Sequence, residues 1–242
     1  FEGFGSLVQD STNIKKISIK TKDDVINKTA KNVILATGAR SRNLPFVSSD
    51  GVNIWDYKTA MTSPKLPSSL IIVGSGAIGI EFASFYNDLG VDVTIVEALP
   101  SILPNEDIDI SNIVKLNFEK RGIKIKTNAI LKSVTNKINS ITAELTVNEK
   151  VEIIKSDKLI LAIGIVANTE KLGLENFNIK IDKGHVVTND FLETDEKGIY
   201  AIGDITEGPW LAHKASHEGI LCVEKIAGHK NLKSIDKTSI PG

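Results

Sequence analysis

The sequence predicts an α/β protein with a mainly parallel sheet, because strand-like and helix-like segments alternate along its 242 residues. Short apolar runs that end in glycine indicate buried strands, and longer segments with apolar residues at helical spacing indicate amphipathic helices. The sequence contains no repeat of the solenoid type. These three observations favour alternating strand and helix units.

The first 67 residues predict strands that lead into a connection. Strand-like runs occur at 6–9 and 17–20, and the apolar run 32–36 ends at Thr37-Gly38, which suits a buried strand entering a tight turn. From 44 to 67 the sequence carries several prolines and polar residues, which indicates a connection between two units.

A strand–helix–strand unit follows this connection. The apolar run 70–73 predicts a strand, 74–79 a turn, and 77–89 a helix that ends at Gly90. The next strand is predicted at 91–96. Four apolar side chains lie on one face of the predicted helix: Ile78, Phe82, Phe85 and Leu89.

The second half of the chain continues the alternation. A helix is predicted at 107–120, strand-like segments at about 123–163, a short strand at 199–202 and a last helix at 211–227. The strand beginning at Lys158 runs into Gly164, and the strand at 199–202 runs into Gly203-Asp204.

Composition excludes several classes of function. The net charge of −1 provides no basic field for nucleic acid or an anionic membrane, and no apolar run is long enough to span a bilayer. Cys222 is the single cysteine, so neither an intramolecular disulfide nor a multi-cysteine metal site is possible within these residues. His213 and His217 have helical metal-ligand spacing, but no third ligand motif accompanies them, so we expect no metal site.

The turn at 74–79 has the Gly-x-Gly-x-x-Gly pattern of a dinucleotide-binding unit, with Ser75, Ala77 and Ile78 between the glycines. The first glycine permits the tight turn, the second lets the backbone approach a pyrophosphate, and Gly79 lets helix and strand pack closely. Free N–H groups at the helix start then face the phosphates, with the helix dipole behind them.

Glu97 ends the following strand, eighteen positions after Gly79. Its carboxylate can accept hydrogen bonds from a ribose 2′-hydroxyl and would repel a 2′-phosphate, and no arginine follows in 98–100, so NAD is favoured over NADP. The alternative is a glycine turn in an α/β domain that binds no nucleotide. The strand, helix and acid together make this alternative the weaker interpretation.

Five motifs together resemble those of the flavin-dependent pyridine nucleotide–disulfide oxidoreductases, class I, and most of all the dihydrolipoamide dehydrogenase branch of that family. They are Ala36-Thr37-Gly38, the turn 74–79 with Glu97, Ala162-Ile163-Gly164, the run 199–204, and Gly208 to Ala215 with Glu218-Gly219. The resemblance covers the whole chain, and the last stretch is its most specific part. It implies a Rossmann-like NAD-binding domain at 46–167, inserted in a partial FAD-binding domain made of 1–45 and 168–242.

The resemblance also implies site residues. For NAD, it adds the backbone of Leu131 near the adenine and the strand end at Gly164 to the turn and Glu97. For FAD, Asp204 would bind the ribityl and pyrophosphate region, Gly3 would touch the adenine, and Thr37-Gly38 marks the crossing between the domains. The backbone of Leu211, Ala212 and His213 would face the flavin pyrimidine edge, where the positive end of a helix stabilises charge on the reduced flavin.

Several of these residues also have a purely structural interpretation. Asp204 could cap a turn or helix, although its flanking motif argues against this. Glu81 matches a family glutamate near the flavin, the only catalytic candidate, but it could equally be a solvated helix carboxylate. Cys222 lies in an apolar helical stretch and is expected to be a packed thiol rather than a nucleophile. An arginine often found shortly after the glycine matching Gly164 is absent here.

The family's catalysis needs a first Gly-x-Gly-x-x-Gly for FAD, a redox disulfide and a C-terminal His-Pro, and none is present in these residues. We therefore expect a central fragment that has no dehydrogenase activity alone. For the intact protein, the resemblance implies electron transfer from dihydrolipoamide through a disulfide and FAD to NAD. It also implies lipoyl domains of a 2-oxoacid dehydrogenase complex as partners, a homodimer, and a bacterial cytoplasmic or mitochondrial matrix location, the leader region lying outside this chain.

Two alternatives stay open at this point. One is another enzyme of the same class, such as a glutathione- or mercuric-reductase-like protein or an NADH oxidase. Glu97 disfavours its NADPH-specific members, and the segment Leu211 to Ala215 favours the dihydrolipoamide branch. The other alternative is a non-catalytic fragment that only binds nucleotides.

Overall fold

The computed structural model describes residues 1–10, 14–138 and 140–241, and the chain divides into two compact units. The terminal unit comprises Phe1–Arg40 and Val166–Gly242, and the central unit comprises Ser41–Ile165. The chain thus leaves the terminal unit once, forms the central unit and returns. That the terminal unit binds FAD and the central unit binds NAD stays a prediction.

The elements are numbered in chain order. The strands are β1 (Phe4–Val8), β2 (Lys15–Lys20), β3 (Val25–Ala30), β4 (Val33–Leu35), β5 (Ala39–Ser41), β6 (Ile54–Trp55), β7 (Ser69–Val73), β8 (Asp92–Val96), β9 (Lys124–Lys126), β10 (Ala129–Lys137), β11 (Ser140–Val147), β12 (Lys150–Ser156), β13 (Lys158–Leu161), β14 (Ile165–Ala167), β15 (Ile181–Asp182), β16 (His185–Val186) and β17 (Ile199–Ala201). The helices are α1 (Tyr57–Thr62), α2 (Ala77–Asp88), α3 (Ile108–Lys120) and α4 (Ala212–Ile226), with 3₁₀ turns at Leu174–Asn176, Gly203–Ile205 and Lys237–Ser239.

The central unit is built on a parallel sheet of five strands in the order β6-β13-β7-β8-β9. Its central strands β7 and β13 are apolar on both faces, as expected for a parallel sheet that is covered on each side. Leu70 and Ile72 of β7 pack with α2 and α3 residues such as Tyr86 and Phe118. The alternate residues of the same strand pack instead against the antiparallel sheet β10-β11-β12.

The segment 123–163 is therefore strand-rich as predicted, but three of its strands form this separate antiparallel sheet. The short strand β6 and the short helix α1 lie within the predicted connection 44–67 and were not predicted. Asp56 caps α1 by accepting a hydrogen bond from the Thr59 N–H. Elements this short carry too few residues for a periodic pattern to show.

The terminal unit contains the antiparallel sheet β1-β2-β3 and a parallel pair, β4 and β17. The strand β3 was not predicted, because its sequence is polar and its residues are mostly exposed. The core of this unit includes Leu35 of β4 and Ile199 of β17. A second cluster places Leu221 and Cys222 of α4 against Tyr200. Among the residues described in either unit, no helix combines the length and apolar character needed to cross a bilayer.

A buried ion pair fixes α4 to the turn after β17. Lys214 and Glu218 are 2% and 3% exposed, and Lys214 Nζ lies 3.0 Å from Glu218 Oε1. The other carboxylate oxygen accepts the Gly203 N–H at 2.6 Å, and Lys214 Nζ also donates to Thr206 Oγ1 at 3.3 Å. Because buried charges are tolerated only when paired and hydrogen-bonded, this arrangement specifies how the turn 203–206 meets the helix.

The buried thiol of Cys222 generates a first prediction. The side chain is 0% exposed, and burial, followed by the nearby Glu193 carboxylate, raises the pKa of its thiol from 9.0 to about 11. At pH 7.5 the raised pKa alone lowers the thiolate fraction about 100-fold, so a disulfide reagent should label Cys222 at least that much more slowly in the native chain than in urea. The native state therefore binds the thiol proton more tightly than the unfolded state does. The protonated thiol stabilises the fold below about pH 9, and this contribution should be lost as pH rises to about 11. Rapid labelling of the native chain at pH 7.5 would contradict the burial.

The same thiol can report on the buried ion pair. Glu218→Ala leaves the Lys214 ammonium buried without its partner, so the free energy of unfolding of the terminal unit should fall by about 3–5 kcal/mol. We expect a corresponding rise in the labelling rate of Cys222. Glu224→Ala, on the same helix but less buried, is the control and should change the rate little. Equal labelling rates in the two variants would show that the pair does not hold the turn.

Candidate functional site

The candidate site of the central unit lies at the carboxyl ends of β7, β8 and β13. All strands of this sheet run in the same direction, so these ends meet at one edge. From β7 the chain proceeds through β8 to β9 on one side and later returns to β13 on the other. The order of the strands therefore reverses between β7 and β13, the position at which open α/β sheets bind ligands.

Two glycines of the turn are required by close packing. Gly74 has a φ of +99°, and a Cβ there would lie 2.3 Å from the Ala162 carbonyl oxygen. A Cβ on Gly79 would lie 2.0 Å from the Gly74 carbonyl oxygen. Since neither backbone neighbour can move away cheaply, both positions exclude any larger residue. The turn is consequently held against the segment that follows β13.

Gly76 differs, because a Cβ there would meet nothing within 4 Å. It is the N-cap of α2, and no side chain caps this end of the helix. The first N–H groups of an α-helix have no partner within the helix, so those of Ala77, Ile78 and Gly79 are available to an anion. The open space at Gly76 lets that anion approach the backbone closely.

Glu97 directly follows β8, and its side chain points into the glycine turn 74–79. The residue is 7% exposed, and its Oε2 accepts the Ser75 N–H at 2.9 Å and the Ser75 hydroxyl at 2.6 Å. Its Oε1 accepts the Leu99 N–H at 2.9 Å. No lysine, arginine or histidine forms an ion pair with this carboxylate within the described residues. Its charge is thus stabilised by neutral donors alone, which leaves a negative potential at the edge of the site.

The other residues predicted for NAD lie on neighbouring elements. Gly164 has a φ of +98° and follows the segment packed on Gly74. Leu131 has a buried side chain in the core under β10, and the strand is irregular between Leu131 and Ser133. Since β10 begins where the Ala129 N–H bonds to the Glu97 carbonyl, the structure brings the turn, Glu97 and the start of β10 together. Their contacts to a nucleotide stay a prediction.

In the terminal unit, the parallel pairing of β4 and β17 brings Thr37-Gly38 and Gly203-Asp204 to one edge. The Ile202 N–H bonds to the Leu35 carbonyl, so the two strands exit side by side. Asp204 is half-buried in the 3₁₀ turn after β17. Nearby, Leu211 is the N-cap of α4, whose first residues are Ala212 and His213, and no side chain caps this helix either.

The remaining predicted residues have individual surroundings. Gly3 precedes β1, where a Cβ would lie 2.6 Å from the Lys20 carbonyl oxygen. The His213 ring contacts the Pro241 carbonyl oxygen through Nε2 at 2.9 Å. Glu81 is exposed on α2 and makes no hydrogen bond or ion pair within the part of the chain that the structure describes, so its catalytic role stays a prediction.

The structure contains a polar cluster around Thr37 that the sequence patterns do not predict. The Thr37 hydroxyl donates to the Asn168 carbonyl oxygen at 2.7 Å, and the Asn168 amide donates back to the Thr37 carbonyl oxygen at 2.9 Å. The Arg40 guanidinium donates to the Asn168 side chain and to both oxygens of Glu170. Its hydrogen bonds hold the pKa of the Glu170 carboxyl below the usual range. More than a hundred residues separate the partners in the sequence, so no local pattern predicts that they pair.

Comparison with known proteins agrees with this geometry. Residues 6–219 match the profile of the family described as pyridine nucleotide-disulphide oxidoreductase. A dihydrolipoyl dehydrogenase from Rhizobium etli is 51% identical over 88% of this chain and 45% of its own length, and one from Zymomonas mobilis is 46% identical over 88% and 46%. The crystal structure of LpdA from Mycobacterium tuberculosis matches with a TM-score of 0.87 and 32% identity over 97% of this chain and 51% of its own.

The chain spans about half the length of the curated relatives that it matches. The match nevertheless includes the glycine turn, Glu97 and the segment from β17 into α4, which are the elements that the geometry places at the two candidate sites. Because the family profile covers most of its residues, the chain belongs to the pyridine nucleotide-disulphide oxidoreductase family.

Proposed function

We propose that this chain forms the NAD-binding domain and part of the FAD-binding domain of a dihydrolipoyl dehydrogenase. The observation that supports it best is the uncapped start of α2 facing open space at Gly76. Next to it lies the buried Glu97 carboxylate, which has no cationic partner among the residues that the structure describes. This combination suits a pyrophosphate followed by a ribose with free hydroxyls. The curated relatives named dihydrolipoyl dehydrogenase support the choice of substrate.

The central unit would bind NAD through its backbone. N–H groups of the first turn of α2 would donate to the pyrophosphate, and the helix dipole would add to this attraction. The Glu97 carboxylate would accept a hydrogen bond from the adenosine ribose. A 2′-phosphate at the same place would face this carboxylate at close range, so NADP would be excluded by repulsion between like charges.

The terminal unit would supply one part of an FAD site. Asp204 would accept hydroxyl hydrogen bonds from the ribityl region, and the uncapped start of α4 would place partial positive charge near the pyrimidine edge. Bound FAD supplies the two-electron redox chemistry that side chains cannot perform. The buried pair of Lys214 and Glu218 would keep Asp204 and the helix start in register.

The intact protein would act with partners that the family implies. We propose that it oxidises dihydrolipoamide carried on lipoyl domains of a 2-oxoacid dehydrogenase complex, and that it works as a homodimer. The corresponding location is the bacterial cytoplasm or the mitochondrial matrix.

Titration of the chain with NADH and with NADPH tests the proposed NAD pocket of the central unit. We expect NADH to bind at least about tenfold more tightly than NADPH, because the two differ only at the group that faces Glu97. Gly76→Ala should abolish most of this NADH affinity while leaving the chain folded, since its Cβ meets no protein atom and would occupy the path of the pyrophosphate. Gly219→Ala is the matched control, because its Cβ makes only an ordinary contact and lies in the terminal unit. NADPH binding as tight as NADH would favour a glutathione- or mercuric-reductase-like protein instead.

Turnover tests the proposed substrate. The full-length natural protein that contains this chain should reduce lipoamide with NADH, and should reduce glutathione disulfide and mercuric ion at least about 100-fold more slowly. The 242-residue chain alone should show no lipoamide-dependent turnover, because its single cysteine cannot form a redox disulfide. Efficient reduction of oxygen or of glutathione disulfide by the full-length protein, with no activity on lipoamide, would refute the assignment.

A further inference from the structure

Ser75, which lies between Gly74 and Gly76 in the glycine turn, uses its N–H, hydroxyl and carbonyl groups in hydrogen bonds. The residue is 0% exposed, and both its N–H and its hydroxyl donate to Glu97 Oε2. Its carbonyl oxygen accepts the Leu103 N–H at 2.9 Å. Ser75 therefore joins the turn to Glu97 and to the loop that follows β8.

The hydrogen bonds on Glu97 fix which acceptor is left for a ligand. An ionised carboxylate offers about four acceptor positions, two on each oxygen. The two Ser75 donors fill Oε2, and the Leu99 N–H takes one position on Oε1. One position on Oε1 remains, which is enough for a single hydroxyl.

The loop after β8 is held by the same residue. Leu103 has a φ of +47°, a left-handed conformation that is costly for a residue with a branched side chain. Its N–H bonds to the Ser75 carbonyl, and its carbonyl oxygen accepts from the buried Ser111 hydroxyl at 3.1 Å. The strained loop supplies the Leu99 N–H to Glu97, so its position and that of the carboxylate are coupled through Ser75.

We infer that Ser75 is a positioning residue that determines how Glu97 recognises the 2′-hydroxyl of the adenosine ribose. This inference rests on the proposed NAD pocket and goes beyond it, because it assigns the specificity of Glu97 to a second side chain. Without the Ser75 hydroxyl, Oε2 has a free position and the carboxylate loses its shortest hydrogen bond. The carboxylate can then turn, and the open position on Oε1 no longer points at a fixed place.

Ser75→Ala tests this with three nucleotides: NADH, NADPH and 2′-deoxy-NADH, in which the adenosine ribose lacks the 2′-hydroxyl. We expect the affinity for NADH to fall roughly tenfold, the usual scale of one hydrogen bond to a charged group. The affinity for the 2′-deoxy analogue should stay within about twofold of its value for the unaltered chain, because that analogue does not use Glu97. The preference for NADH over NADPH should decrease by a similar factor of about ten.

Ser111→Ala is the matched control, since Ser111 is equally buried and supports the same loop without touching Glu97. It should leave the ratio of the NADH and 2′-deoxy-NADH affinities unchanged. Should Ser75→Ala fail to fold, Ser75→Cys keeps the side-chain shape, with a larger atom that is a much weaker donor, and should change the ratio in the same direction.

Equal losses of affinity for all three nucleotides in Ser75→Ala would overturn the inference, because they would indicate a general loosening of the turn. An unchanged NADH affinity would overturn it as well. If the unaltered chain binds no NADH, the proposed pocket itself is refuted, and the inference falls with it. These outcomes are distinct, since the first two require a chain that binds NADH normally before substitution.

Discussion

The close contact between the glycine turn and the segment after β13 is the constraint on which the central unit depends. Gly79 packs on the Gly74 carbonyl, and Gly74 packs on the Ala162 carbonyl. These two contacts decide where α2 begins relative to β7 and β13. Any Cβ at either position would move the helix outward, and its free N–H groups would no longer face the edge at which the strand order reverses. The position of these N–H groups, which the proposed pyrophosphate site requires, is therefore a consequence of backbone packing.

The two layers on the parallel sheet explain why this constraint can be met. Residues 70 and 72 face the helices while 71 and 73 face the antiparallel sheet, so each face of β7 is buried. A strand anchored on both faces cannot slip by one residue without exchanging its two cores. This anchoring fixes the position of the turn that follows β7. Glu97, directly after β8, is fixed in the same way through Val96.

Much of this arrangement could be predicted from the sequence. The strand before Gly74, the helix after it and the acid at Glu97 are local signals, and the structure has β7, α2 and β8 at these places. The antiparallel sheet was not predicted as a separate sheet, because the pattern within one strand does not identify the strand with which it pairs. The pair of Lys214 and Glu218 was visible as residues of a motif, but their burial was not, since a lysine and a glutamate four positions apart on a helix are usually solvated. The role of the Ser75 hydroxyl could likewise not be predicted, because the sequence shows a serine between two glycines but not its distance to Glu97.

The charge of Glu97 connects the packing to the chemistry. A buried carboxylate with a cationic partner would present little field to a ligand, because the partner would neutralise it. Here three donors from the Ser75 backbone, the Ser75 hydroxyl and the Leu99 backbone stabilise the charge with dipoles and leave its sign intact. The start of α2, a few residues away in the same turn, has the opposite partial charge. The candidate site thus has a positive end made of peptide groups, which suits a pyrophosphate, and a negative end made of one side chain, which suits a hydroxyl. A ligand that suits both ends carries a phosphate at one position and a neutral donor at the next. NAD and NADP share the pyrophosphate and differ at the second position, where NAD has a hydroxyl and NADP a phosphate.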